Sequence, residues 1–302
     1  MKNKIPLIKA LSFSIAATNL PIITLYQVSV LLCELYSTKI FQGTQINITR
    51  LNFPDRAYLF KQIRSLDQLG ILQPSKNFPH KGVYGIFGGH TISPEEIICM
   101  VDPFAYISHL SAMEYHGLTD RFPNDIFYST PPPKDWNVFA QKKMEKDCKN
   151  FLDEYLNSGL PRLVKITFPK LNKRPLRKYS SIHQGAFKSI RNRHLRVSTM
   201  GRTFLDMLRE PRFCGGINHV IDIFKKYGPQ YKDLIVSEFD RHGNLIEKTR
   251  AGFILEELCG IKNPTIESWA LKVQRGGSRK LDPYSEYSSN YSERWCLSIN
   301  NE

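Results

Sequence analysis

Between Pro54 and Phe87 the hydrophobic period changes from that of a helix to that of a strand, and this change limits what the chain can build. In NITRLNFPDRAYLFKQIRSLDQLGIL (47–72), Leu59, Phe60, Ile63, Leu66 and Leu69 recur at helical spacing as one apolar stripe, which Gly70 ends. Asn52 reads as the cap, Pro54 as a first-turn residue, and Asp55 lies at the positive end of the helix dipole. The opposite face presents Arg56, Tyr58, Lys61, Gln62, Arg64 and Ser65. Ile71-Leu72 and Val83–Phe87 are short and alternating. The turn-rich stretch between them, Pro74–Gly82, carries Lys76, Asn77, His80 and Lys81, which together predicts a β-hairpin with a basic loop. Upstream, TLYQVSVLLCEL (24–35) places Leu25, Val28, Leu31, Leu32 and Leu35 on one helical stripe.

Helix, basic helix, then basic hairpin is the element order of a winged helix-turn-helix. A helix fits the major groove, where base edges carry a full donor and acceptor code. Loop lysines reach phosphates or the minor groove. The competing reading is an ordinary α+β module with a wet charged face. The net charge of +14 weighs toward nucleic acid, with an anionic membrane surface as the rival. Nearly all of the excess lies in the first two hundred residues. From Tyr155 to Leu205 there is no carboxylate, while Arg162, Lys165, Lys170, Lys173, Arg174, Arg177, Lys178, Lys188, Arg191, Arg193, Arg196 and Arg202 accumulate. A stretch of one sign reads as an anion-binding surface rather than a solvated face.

Beyond residue 93, DPFAYISHLSAMEYHG (102–117) predicts a helix capped by Asp102 and ended by Gly117. Pro123–Thr130 reads as a strand stopped by three prolines, 134–158 as a charged helix, and RLVKITF (162–168) as a strand. Ser198 or Thr199 caps a helix that Pro211 terminates. Further helices are predicted over INHVIDIFKKYG (217–228) and RAGFILEELC (250–259), and strand with loop from Lys272 to Asn300. The run Ala10–Leu25, behind three lysines, is too polar for a membrane span and lacks a clean cleavage site, so export is not expected. The six widely spaced cysteines contain no CxxC pair and predict free thiols in a reducing, cytoplasmic setting.

Four stretches, YISHLSAMEYHGLTDRFPNDIFYST (106–130), STMGRTFLDMLREPRFCGG (198–216), RAGFILEELCG (250–260) and GGSRKLDPYSEYSSNYSERWCLSIN (276–300), resemble the antitoxin component of abortive-infection, AbiE-type (type IV) toxin–antitoxin systems. The resemblance covers about residues 20–300. It implies a winged-helix domain that represses the operon's own promoter. It further implies a larger C-terminal α/β domain that neutralises a nucleotidyltransferase toxin, without requiring a stable complex.

Catalytic readings are weak by comparison. His109 and His116, seven apart, lack the acid or thiol partners of a metal site. Gly276-Gly277-Ser278 is not followed by the alternate carboxylates that two-metal nucleotidyl transfer needs, since Asp282 and Glu286 are not so paired. Asp147-Cys148-Lys149 matches a nuclease acid-x-Lys pattern that arises readily in charged helices. Arg202 and Asp206, four apart, read as a helix ion pair or as part of a neutralisation surface.

The expectation is therefore a mixed α+β and α/β chain: an N-terminal extension (1–20), a winged helix-turn-helix (21–92) and a C-terminal antitoxin domain (93–302). Enzymatic activity, cofactors, metal and membrane are not expected. The expected partners are double-stranded DNA of its own promoter and, functionally, the toxin. Alternatives are a regulator without a toxin, or a C-terminal domain that modifies the toxin or its nucleic-acid target. Arg50, Asn52, Arg56, Lys61, Arg64, Lys76, Asn77 and Lys81 are the candidate DNA contacts. Lys173, Arg174, Arg177, Lys178, Arg191, Arg193, Arg202, Arg250, Arg275, Arg279 and Lys280 form the candidate nucleic-acid or neutralisation surface.

Overall fold

The computed structural model describes residues 4–50, 52–89, 92–182, 186–273 and 279–301. The chain forms two units. Unit 1 comprises Met1–Ala105 and Thr130–Lys173, and unit 2 comprises Tyr106–Ser129 and Arg174–Glu302. A single boundary at 93 thus gives way to a chain that crosses between units three times.

Unit 1 begins with β1 (Ile5–Pro6), α1 (Leu7–Ala17), β2 (Ile22–Thr24), α2 (Leu25–Thr38), β3 (Ile40–Phe41), β4 (Thr44–Asn47), α3 (Arg56–Gln68), β5 (Leu72–Pro74), β6 (Val83–Ile86) and α4 (Pro94–Val101). Helix α1 lies within the span 1–20 expected to be an extension. Leu7, Ala10, Leu11 and Ile15 of α1 are buried in the core that Val28 and Leu32 of α2 and Leu59, Ile63 and Leu66 of α3 complete. Thr24 starts α2 with a reciprocal capping box: its hydroxyl accepts from the Gln27 amide, and the Gln27 side chain accepts from the Thr24 amide at 2.8 Å. Strands β2, β6 and β5 form an antiparallel sheet in the order β2-β6-β5, with Ile23 opposite Tyr84 and Gln73 opposite Gly85.

In place of the predicted single helix over 102–117 the chain forms a turn, a strand and a shorter helix. Ser93 caps α4, which ends at Asp102. The chain then runs through β7 (Tyr106–Ile107) into α5 (His109–Tyr115). Tyr106 and Ile107 are both buried, as a central strand requires, which removes the helical reading of the apolar positions. After β8 (Ile126–Thr130), Pro133 opens α6 (Pro133–Cys148). A short 3-10 turn and α7 (Leu152–Asn157) follow, then β9 (Lys170–Leu171). Residues 162–168 form no strand, so that prediction fails.

Unit 2 continues with β10 (Arg174–Ser180), β11 (Phe187–Ser189), β12 (Arg196–Ser198), α8 (Met200–Arg209), α9 (Ile217–His242), α10 (Leu245–Phe253), α11 (Pro264–Ala270), β13 (Tyr291–Ser292) and β14 (Leu297–Ser298). The strand order is β11-β12-β7-β8-β10, with β12 parallel to β7 and β7 antiparallel to β8. The helix predicted to stop at Gly228 runs on to His242 across Pro229, and the break is a kink at Tyr231 (φ −107°, ψ 15°). The helix predicted over 250–259 starts earlier: Asn244 caps α10, which passes into a π-turn at Ile254–Leu258. Phe204, Phe224, Phe239, Trp269 and Trp295 anchor the core of this unit.

Candidate nucleic-acid interface

Helix α3 starts one turn later than its sequence suggested. Asp55, not Asn52, is the cap: its carboxylate accepts the Tyr58 amide at 2.8 Å. Asp55 also takes Arg50, whose Nη2 lies 2.8 Å away and whose guanidinium sits over the Tyr58 ring. The Arg50 hydrogen bond, seconded by the Tyr58 amide, holds the Asp55 carboxyl below its ordinary range. Asn52 is exposed and caps nothing. Arg56, Lys61 and Arg64 are exposed and fall within an arc of about 140° at 100° per residue. Leu59, Ile63 and Leu66 face the core. Two expected positions change sides: Leu69 is 61% exposed, and Gln62 is buried.

The loop between β5 and β6 carries Lys76, Asn77, His80 and Lys81. Lys76 and His80 are exposed. Asn77 donates to Asn172 Oδ1 at 3.0 Å, and the Lys81 ammonium donates to the Thr167 carbonyl. Beside the loop lies a groove of about 610 Å³ whose lining includes Arg56 and Phe60 of α3, His80, Lys81 and Tyr84 of the hairpin, and residues 164–167. No carboxylate lines it. This wall of 164–167 was missed in the sequence, where the same alternation was assigned to a strand.

The basic run after Leu160 is divided between the two units. Its first part, through Lys173, belongs to unit 1, and the remainder to unit 2. In unit 2, Arg174 donates to the carbonyls of Pro123 and Asn124, and Arg177 pairs with Asp125 at 2.6 Å. Lys178 is exposed on the same strand. Arg191 and Arg193 occupy the turn between β11 and β12, separated from β10 in the sheet by β7 and β8. Lys280 donates to the Ser285 carbonyl, and Arg279 has one guanidinium nitrogen buried. Arg275 and the Gly276-Gly277-Ser278 turn lie outside the described residues.

Two arginines leave the candidate surface altogether. Arg202 is fully buried, with Nη2 2.7 Å from Glu238. Arg250 is 8% exposed and donates to the carbonyls of Lys280 and Leu208. Both are internal supports, because α8 and α10 turn those positions toward the core. The expected Arg202–Asp206 helix pair is instead a buried cluster that includes Glu238 on α9. Burial pushes the Asp206 carboxyl up to about 7 even against Arg202 and Arg209. Nearby, Arg209 grips Glu247 at 2.7 Å.

His109, His116, Asp147 and Asp282 each have hydrogen-bond partners within their own unit. His109 is fully buried between the rings of Tyr179 and Phe213, with Nδ1 2.8 Å from Ser108 Oγ, and burial lowers its pKa to about 3. His116 binds the Ser198 carbonyl. Asp147 accepts from Tyr26 and Lys143, and Cys148 is buried. Asp282 caps a turn through Tyr284 and Ser285. All six thiols are unbridged. Among the described residues no group of three or more His, Cys, Asp or Glu side chains is placed to hold a metal, and no helix is long and apolar enough to cross a membrane.

The chain matches no family model and no curated protein. Among solved structures it is similar to the RV2827C protein from Mycobacterium tuberculosis, at 12% identity and a TM-score of 0.45, over 98% of this chain and 92% of that one. A likeness of that size supplies no functional argument.

Proposed function

We propose that this chain is a DNA-binding antitoxin of the type IV, abortive-infection kind, acting in the cytoplasm. In this reading unit 1 represses its own operon as a winged helix-turn-helix, and unit 2 neutralises a nucleotidyltransferase toxin. The observation that carries the DNA-binding half is the order α1-β2-α2-α3-β5-β6 with sheet order β2-β6-β5, which leaves the cationic face of α3 exposed next to the hairpin. In such an arrangement α3 reads the major groove and the hairpin is the wing. Hairpin β3–β4, inserted between α2 and α3, is an elaboration of that order.

The antitoxin half rests on the four sequence stretches that resemble AbiE-type antitoxins. In this reading the chain carries no catalysis and no cofactor. With Arg202 and Arg250 buried, its neutralisation surface falls to exposed cations such as Lys178 and Arg191. Gel shifts with the duplex upstream of the gene test the repressor claim. Preference for that duplex over random DNA at moderate salt is the expected result, and equal affinity for both contradicts it. Co-expression with the product of a neighbouring nucleotidyltransferase-like gene tests the antitoxin claim through rescue of growth.

A further inference from the structure

The loop between β5 and β6 is fastened to the rest of unit 1. Phe78 at its centre is 2% exposed and meets the ring of Phe168 edge-on, with centroids 4.7 Å apart. On one side of that contact Asn77 donates to Asn172, and on the other Lys81 donates to the Thr167 carbonyl. Residues 167–172 are themselves the end of a stretch anchored upstream, where Lys165 donates to the Pro131 carbonyl at 2.8 Å. Within the loop, Phe78 bonds back to Ser75 and Lys81 to Phe78, and the Gly82 carbonyl accepts the Leu25 amide at 2.6 Å. A left-handed Gly82 (φ +65°) lets the chain pass against Leu25.

We propose that residues 161–173 are a splint for this loop. Lys81 and Asn77 are then positioning residues, and the phosphates of duplex DNA along this edge are met by Arg56, Lys76 and His80. Lys81 commits one of its three ammonium donors to the Thr167 carbonyl, and losing that bond leaves the splint side of the loop untied. Arg56, Lys76 and His80 are exposed, and Arg56 and His80 open onto the carboxylate-free groove. Holding the loop in advance removes the ordering cost that a mobile wing meets on binding. The phosphate assignment rests on the reading of unit 1 as a DNA binder, whereas the splint does not.

Two measurements on the full-length protein separate the roles. Hydrogen exchange of amides 75–82 reports the splint. The slope of log affinity against log salt, for the duplex upstream of the gene, counts phosphate contacts at about 0.9 per contact. Lys81→Met and Phe168→Ala are expected to speed loop exchange on the order of tenfold and to weaken binding with the slope unchanged. Lys76→Ala is expected to lower the slope by about 0.9 and to leave exchange unchanged. A Lys81→Met variant with a reduced slope and wild-type exchange overturns the assignment of Lys81. Unaltered exchange in Phe168→Ala, with the far-ultraviolet spectrum intact, overturns the splint. If the wild-type chain has no affinity for duplex DNA, the phosphate assignment falls with the reading of unit 1, and exchange alone decides the splint.

Discussion

Arg202 Nη2 lies 2.7 Å from Glu238 Oε1, joining α8 to the second half of α9 through an arginine that has no solvent exposure. Gly201 makes this approach possible, because a Cβ there would meet the Leu234 carbonyl and the Glu238 side chain. Removing one member of such a pair leaves a buried charge uncompensated and costs roughly 3–5 kcal/mol. Arg202→Ala is expected to lower the denaturant midpoint of unit 2 accordingly, and Arg202→Met with Glu238→Met to restore much of it. An unchanged midpoint in Arg202→Ala contradicts the assignment.

Asp206 and His109 give unit 2 opposing pH dependences. The folded chain keeps the Asp206 proton up to about pH 7, whereas the unfolded carboxyl releases it near 3.8. That contribution is whole below 3.8 and is lost as pH rises toward 7. Unfolded His109 takes up a proton below 6.5, and the folded imidazole resists this down to about 3. Its contribution is whole above 6.5 and is lost as pH falls. Between about pH 4 and 6.5 the two slopes, each near 1.4 kcal/mol per unit, largely cancel. The stability difference between Asp206→Asn and wild type should therefore rise with pH over this window. For His109→Asn, which suits the left-handed backbone there (φ 51°), it should fall. Denaturant titrations at several pH values check both, and a flat difference for Asp206→Asn contradicts the account.

Gly252 lies under the indole of Trp295, and a Cβ there would overlap the six-membered ring. Trp295 is fully buried and donates its Nε1 hydrogen to Glu256 at 2.9 Å. Gly252→Ala should destabilise unit 2 by about 1–3 kcal/mol or more through overpacking. A red-shifted tryptophan emission should accompany the loss. A blue-shifted, wild-type spectrum with an unchanged midpoint would show that the helix accommodates the methyl group.

Asp102, predicted to start a helix, ends one and is 3% exposed. Its carboxylate accepts from the Thr130 hydroxyl at 2.6 Å, the Trp136 indole at 2.9 Å and the Phe104 amide at 3.0 Å. With hydrogen bonds to a charged group contributing about 1.5–3 kcal/mol each, loss of all three in Asp102→Ala should cost unit 1 roughly 4–9 kcal/mol. Thermal unfolding followed by circular dichroism tests this, and a loss below about 1 kcal/mol contradicts it.

What the sequence made legible is local. The apolar stripe of α2, most of the core face of α3 and the β5–β6 hairpin were readable because periodicity and turn chemistry lie within a dozen residues. Reading failed where tertiary placement overrides pattern. Tyr106-Ile107 looked helical because a two-residue central strand is too short to show a period. Residues 162–168 pair in no sheet, and their end is held instead by the hairpin loop through Thr167 and Phe168. Arg202 and Arg250 counted as surface charge until α9 and the 279–282 segment supplied their partners. Among the candidate DNA contacts, Arg56, Lys61 and Arg64 stayed exposed, while Arg50, Asn77 and Lys81 have partners distant enough, or subtle enough, to escape sequence reasoning.

The most direct test of the central claim is the affinity of the full-length chain for the duplex upstream of its gene, measured across a salt series for the wild type and for the double charge reversal Arg56→Glu, Arg64→Glu. The account predicts tight, steeply salt-dependent binding by the wild type, and loss of more than about a hundredfold in the folded variant, with toxin neutralisation largely retained. Equal affinity of wild type and variant, or wild-type binding that ignores salt, would contradict it.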